Sequence, residues 1–323
     1  MRDLHDPGPR PMDIGLLRAT LDRGLRAAIA TRIGRAPRLF DWQPRDGMPL
    51  WCADGAITYD VIWQHDADAR RDAIIGVFES NVQHSRAHAA CRALRRAGFD
   101  GRRGLAVVES YGAFPTIEGR LQSLAPGPRL DEIDTDVEVA AQRAGLWLGA
   151  LHRTDVGGSL LGARDIGADL DTAVSRISRA APEWRGRLLE LRTAILARLG
   201  LQRAVPSHGR FAPEHVYVSP GMVTVDGLTA FGLCEPERDL GSFIAAGLVC
   251  AMRGGCELGL VACRNRSFLD GYHAAGGNGT VGRVSLWTTI ALLARVSDLA
   301  RLNLLAPSHV PGWLNLCARG VAA

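Results

Sequence analysis

The chain has 323 residues, 47% hydrophobic and 22% charged, enough to bury one large core or two modest ones as an ordinary globular protein. Its formal net charge is +4 and its basic residues are scattered, which argues against a nucleic-acid partner. No apolar run reaches the ~20 residues needed to span a bilayer, and the first residues lack the apolar segment of a signal peptide. A cytoplasmic protein with no membrane partner is therefore expected, residues 1–12 reading as a leader and Met12 as an alternative start. The seven cysteines contain no C-x-x-C pair, and the spacings of six and seven between Cys250, Cys256 and Cys263 fit no standard zinc knuckle. They read as reduced thiols packed as small hydrophobes.

In chain order, apolar residues recurring at three and four predict a helix from Met12 to Gly34. Short alternating runs then predict strands at Arg38–Trp42, Ile57–His65 and Ala73–Glu79, with D-A-D-A-R-R-D between the last two as an exposed turn. A helix follows from Ser80 to Ala97, then strands at Leu105–Ser110 and Arg120–Ser123. One helix among about five strands is an α+β pattern. Pro126-Gly127-Pro128 reads as a hinge, and the remainder turns mostly helical: Asp136–His152, Leu170–Ile177, Trp184–Leu199, Asp239–Met252, Gly259–Ala275 and Val284–Leu304. His84 and His88 stand at i and i+4 on a helix face that reads as solvated. The Arg92, Arg95, Arg96 cluster and the Arg102-Arg103 pair read as surface charge. The glycine-rich run from His273 to Thr280 reads as a helix C-cap and loop.

The most informative stretch lies between Val205 and Gly241. A loop opened by Pro206 carries a His208-Gly209 turn, and a strand follows from Val216 to Val218. After a Ser219-Pro220-Gly221 turn, a second strand from Met222 to Val225 delivers Asp226 to its end. A polar loop, then a hairpin with a carboxylate at its exit, is how kinase-like folds build a phosphoryl-transfer site.

This stretch resembles the catalytic segment of the aminoglycoside phosphotransferase and choline kinase-like family, H-G-D-x-x-x-x-N-hydrophobic, a turn, hydrophobic-D, then D-P and R-D-L. His208, Gly209, Pro213, Asp226, Pro236 and Arg238-Asp239-Leu240 fit, with one extra residue between Asp226 and Pro236. R-L-Q-S-L-A-P-G-P-R-L is similar to the family's linker, G-A-L-H-R to its A-L-H, and F-L-D-G-Y at Phe268–Tyr272 to a further family habit. The resemblance implies an α+β, two-lobed protein-kinase-like fold: a small antiparallel-sheet lobe over residues 37–125 and a larger, mainly helical lobe over 126–323. The leader and first helix precede them over 1–36, and the catalytic hairpin lies at 206–226.

The resemblance also implies ATP and Mg²⁺, and here the working positions differ. The family's lysine sits in V-x-G-K-F/Y, but the run here is I-I-G-V-F, so Val77 occupies that position. No lysine occurs anywhere; all 38 Lys+Arg residues are arginine, whose reach and fork differ. Val77 and Gln122 are thus the candidate cofactor-binding positions. Arg210 stands in place of the catalytic aspartate, reversing the charge, and His215 in place of the metal-binding asparagine. Imidazole suits Mg²⁺ poorly, which leaves Asp226 as the single metal carboxylate. If the family fold holds, Arg210 and Asp226 are expected to pair where the metal would be. His208 and Asp239 read as braces of the loop, and Glu214 beside His215 as a candidate acid–base partner. Three functions stay open: a pseudokinase without ATP or Mg²⁺, binding a protein partner or a small anionic or hydroxylated metabolite, in a biosynthetic pathway; an enzyme reusing the cleft for other chemistry; and an atypical small-molecule O-phosphotransferase.

Overall fold

The computed structural model describes residues 13–37, 39–52, 54–64, 69–79, 84–160, 163–200 and 203–322. The leader, residues 80–83 and the centre of the expected D-A-D-A-R-R-D turn lie outside them. The described chain divides into two compact units, one running to Arg96 and resuming over 107–125, the other formed by 97–106 and everything after 125.

The first unit is built on a five-stranded antiparallel sheet. Helix α1 (Ile14–Ile33) is capped by Asp13, whose carboxylate accepts from the amides of Gly15 and Leu16, and it ends at Gly34. Strands β1 (Leu39–Pro44), β2 (Asp54–Gln64) and β3 (Ala69–Glu79) follow, then helix α2 (His84–Arg96) and, after β4 (Leu105–Val107), strands β5 (Ser110–Phe114) and β6 (Gly119–Ser123). The sheet order is β1-β2-β3-β6-β5. Its apolar face alternates as a half-buried strand must. Ile57, Tyr59 and Val61 of β2, Ile74 and Phe78 of β3 and Leu121 of β6 form one core with Leu17, Leu21, Leu25 and Ile29 of α1.

Two expectations change here. Arg70, Arg71 and Asp72 are not turn but part of β3, paired with Trp63, Ile62 and Val61. The run from Leu105 to Ser110 is not one strand, because β4 joins β8 and β9 of the second unit while Ser110 opens β5.

The second unit carries helices α3 (Val137–Leu151), α4 (Ala163–Ala180), α5 (Arg185–Arg198), α6 (Glu237–Met252), α7 (Leu258–Ala274), α8 (Val281–Arg301) and α9 (Val310–Ala322). Two small sheets complete it. One has the order β4-β9-β8 with β8 (Val216–Ser219) and β9 (Met222–Val225), and the other pairs β7 (Val205–Ser207) with β10 (Gly232–Cys234). Pro206 therefore belongs to a strand rather than a loop; in a two-stranded ribbon its missing N–H costs no ladder bond that has to be made. Leu170, Val174 and Ile177 of α4, Leu188 and Ile195 of α5, Leu286, Leu293 and Val296 of α8 and Trp313 of α9 make one core. Among the described residues no helix is long and apolar enough to cross a membrane.

Helices α3 and α7 cross at glycine. A Cβ on Gly271 would sit 1.9 Å from the Gln142 carbonyl oxygen, and one on Gly145 2.0 Å from that of Phe268. Gly271→Ala is expected to cost about 1–3 kcal/mol through this overpacking. Gly259→Ala on the same helix, where a Cβ meets nothing within 4 Å, should be neutral or gain up to about 1 kcal/mol from helix propensity. Urea unfolding of both variants tests the contrast, and equal effects would refute it.

Candidate active site

The loop after β7 is held from beneath by one carboxylate. Asp239, fully buried in the first turn of α6, accepts from the backbone amides of His208 (2.7 Å), Gly209 (2.8 Å) and Phe211 (3.4 Å). His152, at the end of α3, donates from Nε2 to the same carboxylate at 3.2 Å and takes the Tyr272 hydroxyl on Nδ1 at 3.0 Å. Burial opposes the Asp239 charge, but the hydrogen bond and electrostatic attraction from His152, with His208, outweigh it and hold the carboxyl below its usual value.

The loop is buried on both sides of one exposed residue, Arg210. Phe211 is fully buried, stacked on Trp147 (5.6 Å between centroids), Phe243 and Phe268. Arg210, one residue before, is driven to the opposite side and left 64% exposed. Its one ion pair among the described residues is with Asp298 of α8, Nη2 to Oδ2 3.6 Å. The expected Arg210–Asp226 pair does not form, because the anchored Phe211 fixes the backbone so that the two side chains find different partners.

Asp226 is occupied otherwise. Val216 of β8 pairs with Val225 of β9, so the next position outward sets His215 opposite Asp226. The Asp226 amide donates to the His215 carbonyl at 3.1 Å. The side chains close the same pair: His215 Nδ1 donates to Oδ1 at 3.0 Å, and the Tyr217 hydroxyl to Oδ2 at 3.2 Å. Tyr217 lies two residues beyond His215 and so on the same strand face. Burial and the Asp226 charge raise its pKa, so it stays a donor. Gly227 makes the arrangement possible. It has φ of 75°, and a Cβ there would lie 2.4 Å from His215 Nδ1.

His208, fully buried, donates from Nε2 to the Asp226 carbonyl at 2.6 Å and accepts the Arg210 amide on Nδ1 at 3.4 Å, which sets the neutral tautomer. Desolvation first, then the neighbouring His215, push its pKa down to about 4. Glu214 does not pair with His215. It binds Arg295 of α8 at 2.7 Å, and although burial works against its charge, Arg295 and His215 hold its carboxyl below the usual value.

In the first unit, Val77 faces Ala56 on β2 and Arg120 on β6. Arg120 is 4% exposed, donates from Nε to Gln122 Oε1 (3.1 Å), and reaches Glu79 (3.7 Å) and His84 (3.4 Å). Gln122 is thus an internal partner of a buried guanidinium. His84 and His88 are not on a solvated face: His84 is buried and bonds the Glu79 carbonyl, and His88 bonds the Ser110 hydroxyl at 2.8 Å. Arg120 was legible as the charged position of an alternating R-L-Q-S strand, and Tyr217 from its period-two relation to His215. Arg295 and Asp298, brought in by a distant helix, left no local signal.

The Mg²⁺-ATP implied by the resemblance does not fit these residues. Mg²⁺ needs near-octahedral oxygen donors, but Asp226 is held by two hydrogen-bond donors, and the resemblance sets an imidazole, His215, at the asparagine position and a cation, Arg210, at the aspartate position. Among the described residues no group of three or more His, Cys, Asp or Glu is placed to hold a metal. The resemblance sets Val77 where the family has its lysine.

Sheet unit, helical unit and loop–hairpin together define an α+β protein with the protein-kinase-like fold of choline kinases and aminoglycoside phosphotransferases. Among solved structures it is similar to the choline kinase LicA of Streptococcus pneumoniae, with a TM-score of 0.57 at 12% identity over 94% of this chain and 99% of that one. It is similar also to the choline kinase of Cryptosporidium parvum (0.59, 10%, 93% and 95%) and to an aminoglycoside phosphotransferase of Streptomyces rimosus (0.53, 16%, 88% and 99%). No protein-family profile and no curated protein matches the sequence.

Proposed function

We propose that this protein is a pseudokinase: a kinase-like chain that has given up ATP-dependent phosphotransfer and acts by binding, as a regulatory or scaffolding component in the cytoplasm. The observation that carries this is the state of Asp226, whose two carboxylate oxygens are taken by His215 and Tyr217. A metal would compete with both donors for this carboxylate and would gain one carboxylate beside an imidazole. The absence of lysine and the cation at Arg210 support the same reading, since phosphoryl transfer rests on metal, lysine and a hydroxyl-orienting carboxylate.

Thermal unfolding with ATP, with and without Mg²⁺, tests it. No Mg²⁺-dependent rise in Tm and no ATP turnover are expected, because only a ligand of the native state stabilises it. A Mg²⁺-dependent rise of several degrees, with turnover lost in Asp226→Ala, would establish an atypical phosphotransferase instead. One observation favours a second reading, other chemistry in the same loop: Asp226 orients the His215 ring as a carboxylate orients a general base. That reading requires nucleotide-free turnover of some substrate that vanishes in His215→Gln; unchanged turnover in that variant would end it.

A further inference from the structure

The second unit holds a cavity of about 260 Å³ between α4, α8 and the Gly209–Arg210 loop, just below the ~300–1,000 Å³ range of drug-sized ligand pockets. Its walls have two characters. Leu170 and Ala173 of α4 face Trp287, Ile290 and Ala291 of α8 as an apolar slot. Around it stand four arginines, Arg176, Arg210, Arg238 and Arg295, and two carboxylates, Asp169 and Asp298.

The arginines are unequally committed. Arg295 is neutralised by Glu214 at 2.7 Å. Arg238 spends Nε on the Gly209 carbonyl at 2.9 Å, its guanidinium carbon 5.8 Å from the Trp287 ring centroid. Among the described residues the Arg210 guanidinium has only the 3.6 Å contact to Asp298, and Asp298 is shared with Arg301 at 3.8 Å. Arg176 makes no hydrogen bond or ion pair with the described residues. Once Glu214 is set against Arg295, the lining keeps one positive charge in excess, and burial pushes the Asp169 carboxyl up towards its neutral form against the pull of Arg238 and Arg210. Guanidinium forks with spare donors beside an aromatic slot recognise an oxyanion carried on an apolar body.

We propose that this cavity binds a small organic anion, a carboxylate or phosphate monoester with an aromatic or branched apolar body, the oxyanion on Arg176 and Arg210 and the body against Trp287 and Leu170. This deepens the binding role proposed above by naming its ligand class, and it rests on that role. The class is opposite in charge to choline, so the chemistry is argued from the arginines and not from the fold.

The test uses the full chain and four probes of similar shape: phenylacetate, phenyl phosphate, phenethylamine and benzyl alcohol, followed by Tm and isothermal calorimetry. Saturable binding of at least one of the two anions is expected, with none of the amine or the alcohol, and the stronger anion identifies the headgroup. The Arg176→Ala/Arg210→Ala variant should keep the unliganded Tm and lose at least ~10-fold in anion affinity, about 1.4 kcal/mol. Leu170→Trp, which fills the slot and leaves both arginines, should also abolish binding. Equal binding of the amine, undiminished anion binding in the double-arginine variant, or no saturable binding of either anion at millimolar concentration overturns the proposal. The phosphotransfer question is read on Mg²⁺ dependence and these probes contain no nucleoside, so each result fails on its own terms.

Discussion

Asp239→Ala is expected to lower the unfolding free energy by roughly 3–5 kcal/mol, the cost of removing one partner from a buried charged network. The physical reason is a count of orphaned donors. Three backbone amides of the loop and the His152 ring converge on this carboxylate, and no water reaches a group that is fully buried. Each buried donor left without an acceptor costs about 1–3 kcal/mol, less whatever the loop recovers by relaxing. Since a domain of this size is stable by only about 5–15 kcal/mol, the variant loses a large share of its margin. Urea unfolding followed by circular dichroism measures it. If the alanine protein does not accumulate, Asp239→Asn, which keeps one acceptor oxygen, should fold with about half the loss; a native midpoint in either variant would show that the loop stands without its brace. The sign with pH follows from the depressed carboxyl. Asp239 contributes fully above its unfolded value of 3.8, and the contribution is lost as pH falls through its lower native one.

The same brace explains what the sequence could and could not say. The hairpin was legible because V-Y-V, S-P-G and M-V-T-V are local signals, each readable within a few residues. The consequence of its register, His215 facing Asp226, follows once Val216 and Val225 are paired. The fate of Arg210 was not legible. Its partner Asp298 lies on α8, and its direction is dictated by Phe211 entering an aromatic stack assembled from α3, α6 and α7. Charge complementarity alone suggested Asp226; packing of the next residue decided otherwise. Helix α9 was not among the expected helices; Pro311 falls in its first turn, where a missing N–H is harmless. His84 looked solvent-facing by residue type, but the Glu79 carbonyl and Arg120 take both its ring nitrogens, a contact no spacing rule contains.

Stability of the protein should also fall between pH 6.5 and pH 4, with one buried imidazole, His208, contributing about 3 kcal/mol of the loss. His208 is neutral because it must be: Nε2 donates to the Asp226 carbonyl, Nδ1 accepts the Arg210 amide, and the ring has no water around it. Its native pKa, pushed down to about 4, lies some two and a half units below the usual 6.5, and each unit is worth about 1.4 kcal/mol. Between those two values the unfolded chain takes up a proton that the native one refuses, so stability is complete above 6.5, declines through the window, and for this group is flat below 4. Asp239 acts only on the acid side of that window, which separates the two. His208→Gln keeps a donor for the Asp226 carbonyl and removes this titration, so unfolding midpoints of the variant should drop clearly less between pH 6.5 and 4.5 than those of the parent, the remainder coming from groups such as His88. Parallel curves for the two proteins would mean that the imidazole is solvated. The loop would then lack the dry support that keeps Asp226 turned toward His215 and Tyr217, and with it the principal argument against a metal there.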